Sequence, residues 1–246
     1  MDRMLYLGMT GAKHHMHSLK AVTNNLANAT TTGFREDLSQ FRSMPVFGPG
    51  HPTRSYAMAE RPGLNFEAGP LQHTERDLDV AIDGEGWMVV QTEDGGEAFT
   101  RAGNLNVTAQ GLLVDGTGRQ VMGNDGPIAL PPAEKVSFAR DGTISIRPVG
   151  GGAAGLVVID RLKLVNPPNR ELVKGEDGLI RHQSGEIQVA DANVRTVSGF
   201  IEGSNVNTVN AMVKMIDLQR NYEMQIKAMG AANTIAEAAT SVMKLG

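Results

Sequence analysis

Few residues in this 246-residue chain are suited to chemistry, and they are scattered. His14, His15 and His17 crowd one stretch, and if that stretch is helical His14 and His17 stand one turn apart, a spacing that could grip a metal ion. No nearby carboxylate completes such a ligand set, so these histidines read as a solvated or neighbour-facing surface. Asp77, Asp79, Asp83 and Glu85 gather acid groups around a turn. They lack the regular Asp/Asn spacing and distant Glu of a calcium loop, so they read as strand-end and turn residues. His51, His73 and His182 have no recognisable nucleophile nearby, and there is no Gly-x-Ser-x-Gly elbow. Phosphate loops and dinucleotide fingerprints are absent too, and Gly150-Gly151-Gly152 with Gly155 reads as a turn. Trp87, following Gly84 and Gly86, reads as a core anchor. With no cysteine in the chain, thiolate catalysis, iron–sulfur clusters, zinc fingers and disulfides are ruled out. The expectation is a protein that is not an enzyme, with no catalytic, cofactor-binding or metal-binding residues.

Composition narrows the class further. The chain has 23 basic and 27 acidic residues, a net charge of −4, and only 4% aromatics, which argues against nucleic acid as a partner. No window approaches the roughly 18 unbroken apolar residues of a membrane span. The first twenty residues carry Asp2, Lys13 and Lys20 and lack the apolar core of a cleavable signal peptide.

The elements that would carry any function divide by punctuation. All eleven prolines lie between Pro45 and Pro168, and six Asp-Gly pairs fall between Asp83 and Gly178. Asp-Gly supplies tight hairpin turns, so this middle reads as a β meander. Leu78–Ile82, Trp87–Val90, Ile144 with Ile146, and Val157–Val165 are its expected strands. Pro45, Pro49, Pro52, Pro62 and Pro70 make 35–76 an extended connector without packed elements.

The ends read as helices. Leu5, Ala12, Leu19 and Leu26 recur every seventh residue, with Met9, Met16 and Thr23 interleaved. Near the other terminus Met215, Tyr222, Met229, Ala236 and Met243 step by seven between Ala211, Leu218, Gln225, Ala232 and Ala239. Both are coiled-coil seams. Met212, Ile216, Ile226, Ile235 and Val242 widen the second stripe, so that helix should face more than one neighbour. At ~1.5 Å of rise per residue, helices over 4–29 and 206–245 would be rods of roughly 39 and 60 Å. An N-cap is expected at Asn205 or Asn207. The two end segments, 1–30 and 206–246, together carry seven basic and four acidic residues, a sum of +3; residues 31–205 carry sixteen and twenty-three, a sum of −7. The fold class that follows is α+β, with the terminal helices forming a coiled-coil stalk around a central turn-rich all-β domain. The expected divisions are 1–34, 35–76, 77–195 and 196–246.

One run is specific. Asn24-Asn25-Leu26-Ala27-Asn28-Ala29-Thr30-Thr31-Thr32-Gly33-Phe34-Arg35 resembles the N-terminal signature of the flagellar axial proteins, the rod and hook family. Its polar side chains compete with the helix for backbone bonds, and Gly33 can supply a left-handed cap. Leu78 to Trp87 and Phe99-Thr100-Arg101-Ala102-Gly103 are similar to the start of that family's β domain. Glu202-Gly203-Ser204-Asn205-Val206-Asn207 and Gln219-Arg220-Asn221-Tyr222-Glu223 resemble its C-terminal motif. Met1-Asp2, the run Phe41 to Val46 and the modest length favour the proximal rod branch, with the distal rod or another axial role as the alternative.

The resemblance implies a structural subunit of the periplasmic rod, exported unfolded through the flagellar type III apparatus. Its partners would be copies of itself and neighbouring rod proteins, with no small-molecule substrate. The assembly interface would be Leu5, Met9, Ala12, Met16, Leu19, Leu26, Ala211, Met215, Leu218, Tyr222, Met229, Ala232, Ala236 and Met243. The family motif residues would be Asn25, Leu26, Ala27, Asn28, Gly33, Phe34, Gly203, Ser204, Asn205 and Asn207. A distant alternative is a β-rich hydrolase or carbohydrate-binding protein, which would need Asp77, Asp79, Glu85 or His73 clustered in a cleft.

Overall fold

A computed structural model describes residues 3–45, 55–149, 156–175 and 177–243. His51, Pro49, Pro52 and the glycine run 150–152 with Gly155 lie outside the described residues, as does the side chain of Met243. Two helices and many antiparallel strands make the fold α+β. The chain divides into two units: a helical unit of Met1–Ala29, Glu36–Asn65 and Val206–Gly246, and a β unit of Thr30–Arg35 and Phe66–Asn205.

In the helical unit, α1 (Arg3–Ala27) is followed by strands β1 (Asp37–Pro45) and β2 (Ser55–Leu64), and the unit closes with α2 (Thr208–Met243). Both helices end within two residues of the spans expected from periodicity. Asn207 caps α2: its Oδ1 accepts the backbone N–H of Asn210 at 3.0 Å. α1 and α2 pack along each other in opposite directions. A side chain added at Gly8 would lie 2.6 Å from Met229 Cγ, and one at Gly11 3.2 Å from Gln225 Cδ.

Within 35–76, Asp37–Pro45 and Ser55–Leu64 are not the extended connector without packed elements that the prolines imply. β1 and β2 pair as an antiparallel ribbon, from Asp37 opposite Leu64 to Pro45 opposite Ser55, and the ribbon packs on α1. A two-stranded ribbon is all edge, so proline's missing N–H is tolerated. Pro62 also falls inside the irregularity between the Leu38/Gly63 and Gln40/Glu60 pairs, where no ladder bond is required.

The β unit opens with β3 (Leu71–His73), β4 (Val80–Asp83), β5 (Trp87–Gln91), β6 (Glu97–Thr100), β7 (Asn106–Val107) and β8 (Leu113–Val114). β9 (Ala133–Phe138), β10 (Thr143–Pro148), β11 (Val157–Arg161) and β12 (Leu164–Val165) follow. The last four are β13 (Leu172–Lys174), β14 (Ile180–His182), β15 (Arg195–Ser198) and β16 (Phe200–Glu202). They form a five-stranded sheet in the order β12-β5-β6-β14-β13, a three-stranded sheet β11-β10-β9, and the pairs β15-β4, β16-β3 and β7-β8. Between them lies one apolar core that includes Val80, Met88, Leu105, Leu113, Ile128, Ile144, Ile146 and Leu162. Consecutive strands pair through short turns, which favours antiparallel geometry. In the β9–β10 turn, Asp141 caps the loop by accepting from the Thr143 hydroxyl at 2.8 Å and the Thr143 N–H at 3.1 Å.

Candidate functional site

The expected assembly residues fare differently on the two helices. On α2, Ala211, Leu218 and Ala232 are buried, and Met215, Tyr222, Met229 and Ala236 are half-buried. Gln225 and Met229 of this seam meet α1. On α1 only Ala12 of the expected line is buried; Leu5, Leu19 and Leu26 are half-buried, and Met9 and Met16 are 55% and 56% exposed. The line that α1 buries instead is Gly8, half-buried His15 and Val22, interleaved with Gly11, Ser18 and Asn25. This too is a heptad, offset from the apolar one and, Val22 apart, built from small or polar residues. The missed signal was size: the large knobs of α2 need hollows, and glycine makes the deepest. A search for apolar residues cannot see a glycine hollow.

His15 is half-buried on this line and meets the ribbon through Phe41. Its ring centroid lies 5.1 Å from that of Phe41, and burial, with His14 adding a smaller effect, pushes its pKa down. Among the described residues no three His, Asp or Glu side chains converge as a metal site would require.

Asn25, in the signature run, clasps the backbone of one residue at two points. Its Nδ2 donates to Asp37 O and its Oδ1 accepts from Asp37 N–H, both at 2.9 Å and both buried. The side chain thus acts as a one-residue strand partner at the start of β1. Asn28 folds back to Asn24 O at 2.9 Å, and Leu26 and exposed Ala27 complete the last turn.

Gly33 does not cap α1, which ends at Ala27. It belongs to the β unit, with φ +69°, its N–H donating to Glu202 O at 2.8 Å. A Cβ there would sit 2.3 Å from the backbone of Arg101, so only glycine fits. Phe34 lies beneath the ammonium of Lys174, 4.0 Å from its ring centre.

These contacts lead to a buried junction of four residues, each from a different motif block: Arg35, Trp87, Arg101 and Glu202. Arg35 Nη2 lies 2.6 Å from Glu202 Oε1, and Arg101 Nη1 2.9 Å from Oε2. Gly69 N–H donates to the same Oε1 at 2.8 Å. Both guanidinium carbons approach the Trp87 ring, at 5.7 and 5.2 Å, and Phe66 meets that ring edge-on. Burial pushes the Arg101 guanidinium pKa down, and the Glu202 carboxylate opposes that shift. Around this centre Gly203 N–H bonds Pro70 O at 2.9 Å, and Asn205 reaches Phe34 O through its N–H and Glu67 O through its side chain. Ser204 is buried beside them. Composition and spacing could not have found this junction, because its members are far apart in the chain.

The acid groups of the hydrolase alternative stay apart. Asp79 is buried against Arg76 at 3.4 Å, Asp77 reaches Lys135 at 3.7 Å, Glu85 is exposed, and His73 stacks on Phe200. Of them Asp77 alone borders the groove of 660 Å³ near Val107 and Pro131. His182 is less isolated than its sequence context implied: Nδ1 meets Ser184 Oγ at 2.7 Å and Nε2 meets Glu171 Oε2 at 3.1 Å. Ser184 Oγ is also engaged by the Glu186 N–H, so the trio ties the β13–β14 hairpin together.

Comparison with known proteins accounts for these blocks. Residues 81–146 match the family described as flagellar hook protein FlgE/F/G D1 domain, and 197–242 match the flagellar basal body rod FlgEFG protein C-terminal family. The flagellar basal-body rod protein FlgF of Escherichia coli (strain K12) is 38% identical over 251 residues, covering 100% of both chains. FlgF of Salmonella typhimurium is 40% identical across 92% of each. FlgG of Bacillus subtilis (strain 168) is 31% identical, over 96% of this chain and 97% of its own. With full-length identity at this level and the signature residues gathered around one buried carboxylate, the chain belongs to the flagellar basal-body rod protein family, most like its FlgF members.

Proposed function

We propose that the chain is a structural subunit of the proximal rod and that it polymerises through its terminal helices, contributing to the shaft that passes torque to the hook. The observation that carries this reading is the apolar surface left over on helices already packed against each other. Met9 and Met16 on α1, and Val209, Met212, Val213, Ile216 and Met224 on α2, are all exposed. Each such side chain gains ~1.5–3 kcal/mol on full burial. Methionine adapts to partners of imperfect fit, which suits contact with non-identical neighbours.

Residues 1–34 and 196–246 would form the core of the rod, and 77–195 its outer layer. The expected seam residues Leu5, Leu19 and Leu26, half-buried in the single chain, would finish their burial in the assembly. Long helices with so thin a buried seam are held only weakly in the single chain, so incorporation would consolidate their packing. Export through the type III apparatus, a periplasmic position and neighbouring rod proteins as partners follow from this reading, as does the absence of catalysis.

Met9→Asp and Met16→Asp test it, since both positions are exposed and tolerate charge in the single chain. Each variant should keep its β fold and its solubility yet fail to enter purified basal bodies, leaving cells non-motile. Motile cells carrying both substitutions would refute helix-driven assembly. Position along the basal body separates the proximal from the distal role.

A further inference from the structure

Two features of the β unit are left without partners. β11 is the outer strand of its sheet, and no strand pairs with its free edge among the described residues. Val157 and Val158 on that strand are 47% and 64% exposed, and Leu156, which leads into it, is 58% exposed. Successive strand residues point to opposite faces, so both faces are bare as well as the edge. Exposed edges are usually blunted by charge, proline or a bulge; here the bulge at Ile159 and the charged Asp160 and Arg161 come after Val158, and the stretch before them carries none of these.

The second feature is Ile187-Gln188-Val189, which follows β14 and belongs to no strand. Its pattern is inverted: Ile187 and Val189 are 74% and 87% exposed, while Gln188 between them is half-buried. Among the described residues these three form no backbone hydrogen bond. It is thus a short strand-period segment with a free backbone and an apolar outer face.

We infer that Ile187–Val189 of one copy adds as a strand to the Leu156–Val158 edge of the next copy. This inference rests on the rod-subunit reading and supplies its outer contact. The two pieces match in length, and either strand direction sets Ile187 and Val189 beside Leu156 and Val158 with Gln188 opposite Val157. Main-chain bonds would satisfy both free backbones while the apolar side chains cover each other. Because the two pieces differ and sit at different places on each chain, the contact is heterologous and repeats from copy to copy. A pairing of β11 with β11 would be isologous and would close as a dimer, which cannot extend a rod.

The absence of native cysteine makes the test clean. Val157→Cys and Gln188→Cys, central in either strand direction, are introduced singly and together, and purified basal bodies are treated with a short bis-maleimide. Cross-linked dimers and longer species are expected from the double variant, and dimers from cells co-expressing the two single variants. Each single variant alone should give none. Dimers from Val157→Cys alone would overturn the inference in favour of edge-to-edge pairing. Basal bodies that contain the double variant but yield no cross-link would overturn it while leaving the rod reading intact. Absence of the unsubstituted chain from basal bodies would overturn both.

Discussion

Arg35, just after the signature glycine, lies against the carboxylate of Glu202, which belongs to the lead-in to the last helix, at 2.6 Å and with both side chains almost wholly buried. An ion pair between residues this far apart in the chain joins the beginning of the β unit to its end. Because Glu202 also takes Arg101 and the Gly69 N–H, one carboxylate holds three separate stretches of backbone. Two guanidiniums around one carboxylate leave an excess positive charge, and the face of Trp87 is the polarisable surface that both of them approach.

Glu202→Gln keeps the shape of the junction and removes its only negative charge. Breaking a buried pair from one side typically costs ~3–5 kcal/mol, because the remaining charges stay buried without a partner. The chain has a single tryptophan and it sits in this junction, so the urea midpoint of Trp87 fluorescence should fall steeply. A midpoint equal to that of the unsubstituted chain would mean the carboxylate is not the keystone described here.

Gly8 and Met229 set how closely the two helices approach. Gly8→Leu should weaken that packing by ~1–3 kcal/mol, as overfilled contacts do. Met229→Ala on the same chain should recover much of the loss by reopening the space. Thermal melts followed by far-ultraviolet circular dichroism would read the coupling; purely additive effects of the two changes would show that they do not share one contact.

Asn25→Leu removes both hydrogen bonds of the clasp on the Asp37 backbone. Losing buried hydrogen bonds of this kind typically costs ~1–3 kcal/mol. Hydrogen exchange at the Asp37 amide should accelerate markedly, while amides of the β unit keep their protection. Unchanged exchange at Asp37 would show that the clasp does not hold the strand.

Acid should loosen the β unit through three carboxylates. The Thr143 hydroxyl first and its N–H second hold Asp141 below the usual carboxylate range; Arg181 does the same for Asp177, and His182 for Glu171. A pKa lowered by folding adds stability that is complete above the unfolded value and disappears as the pH falls through the folded one. The unit should therefore keep this contribution from neutral pH downward and lose it below about pH 4, in the carboxylate range. Asp177→Asn should flatten that acid limb, read from Trp87 fluorescence against pH; an identical limb would rule out the Asp177–Arg181 pair as a contributor.

The sequence by itself determined the local matters. Period and punctuation marked both helices nearly to their ends, a cap at Asn205 or Asn207 and the strands around Trp87 and Ile144, since each depends on neighbours within a few residues. The signature runs were legible as a family mark, though not as a structure. Only the tertiary structure decided which face of α1 is packed, because burial favours any apolar stripe equally while close helix packing depends on whether bulk meets hollow, as Met229 meets Gly8. It decided as well that 37–45 and 55–64 pair as a ribbon, since a strand pair can place Pro62 in a bulge that a reading by composition takes for a break. The convergence of Arg35, Trp87, Arg101 and Glu202 was likewise beyond local pattern, because the charge, the ring and the glycine that admits them come together only when distant backbone segments close around one another.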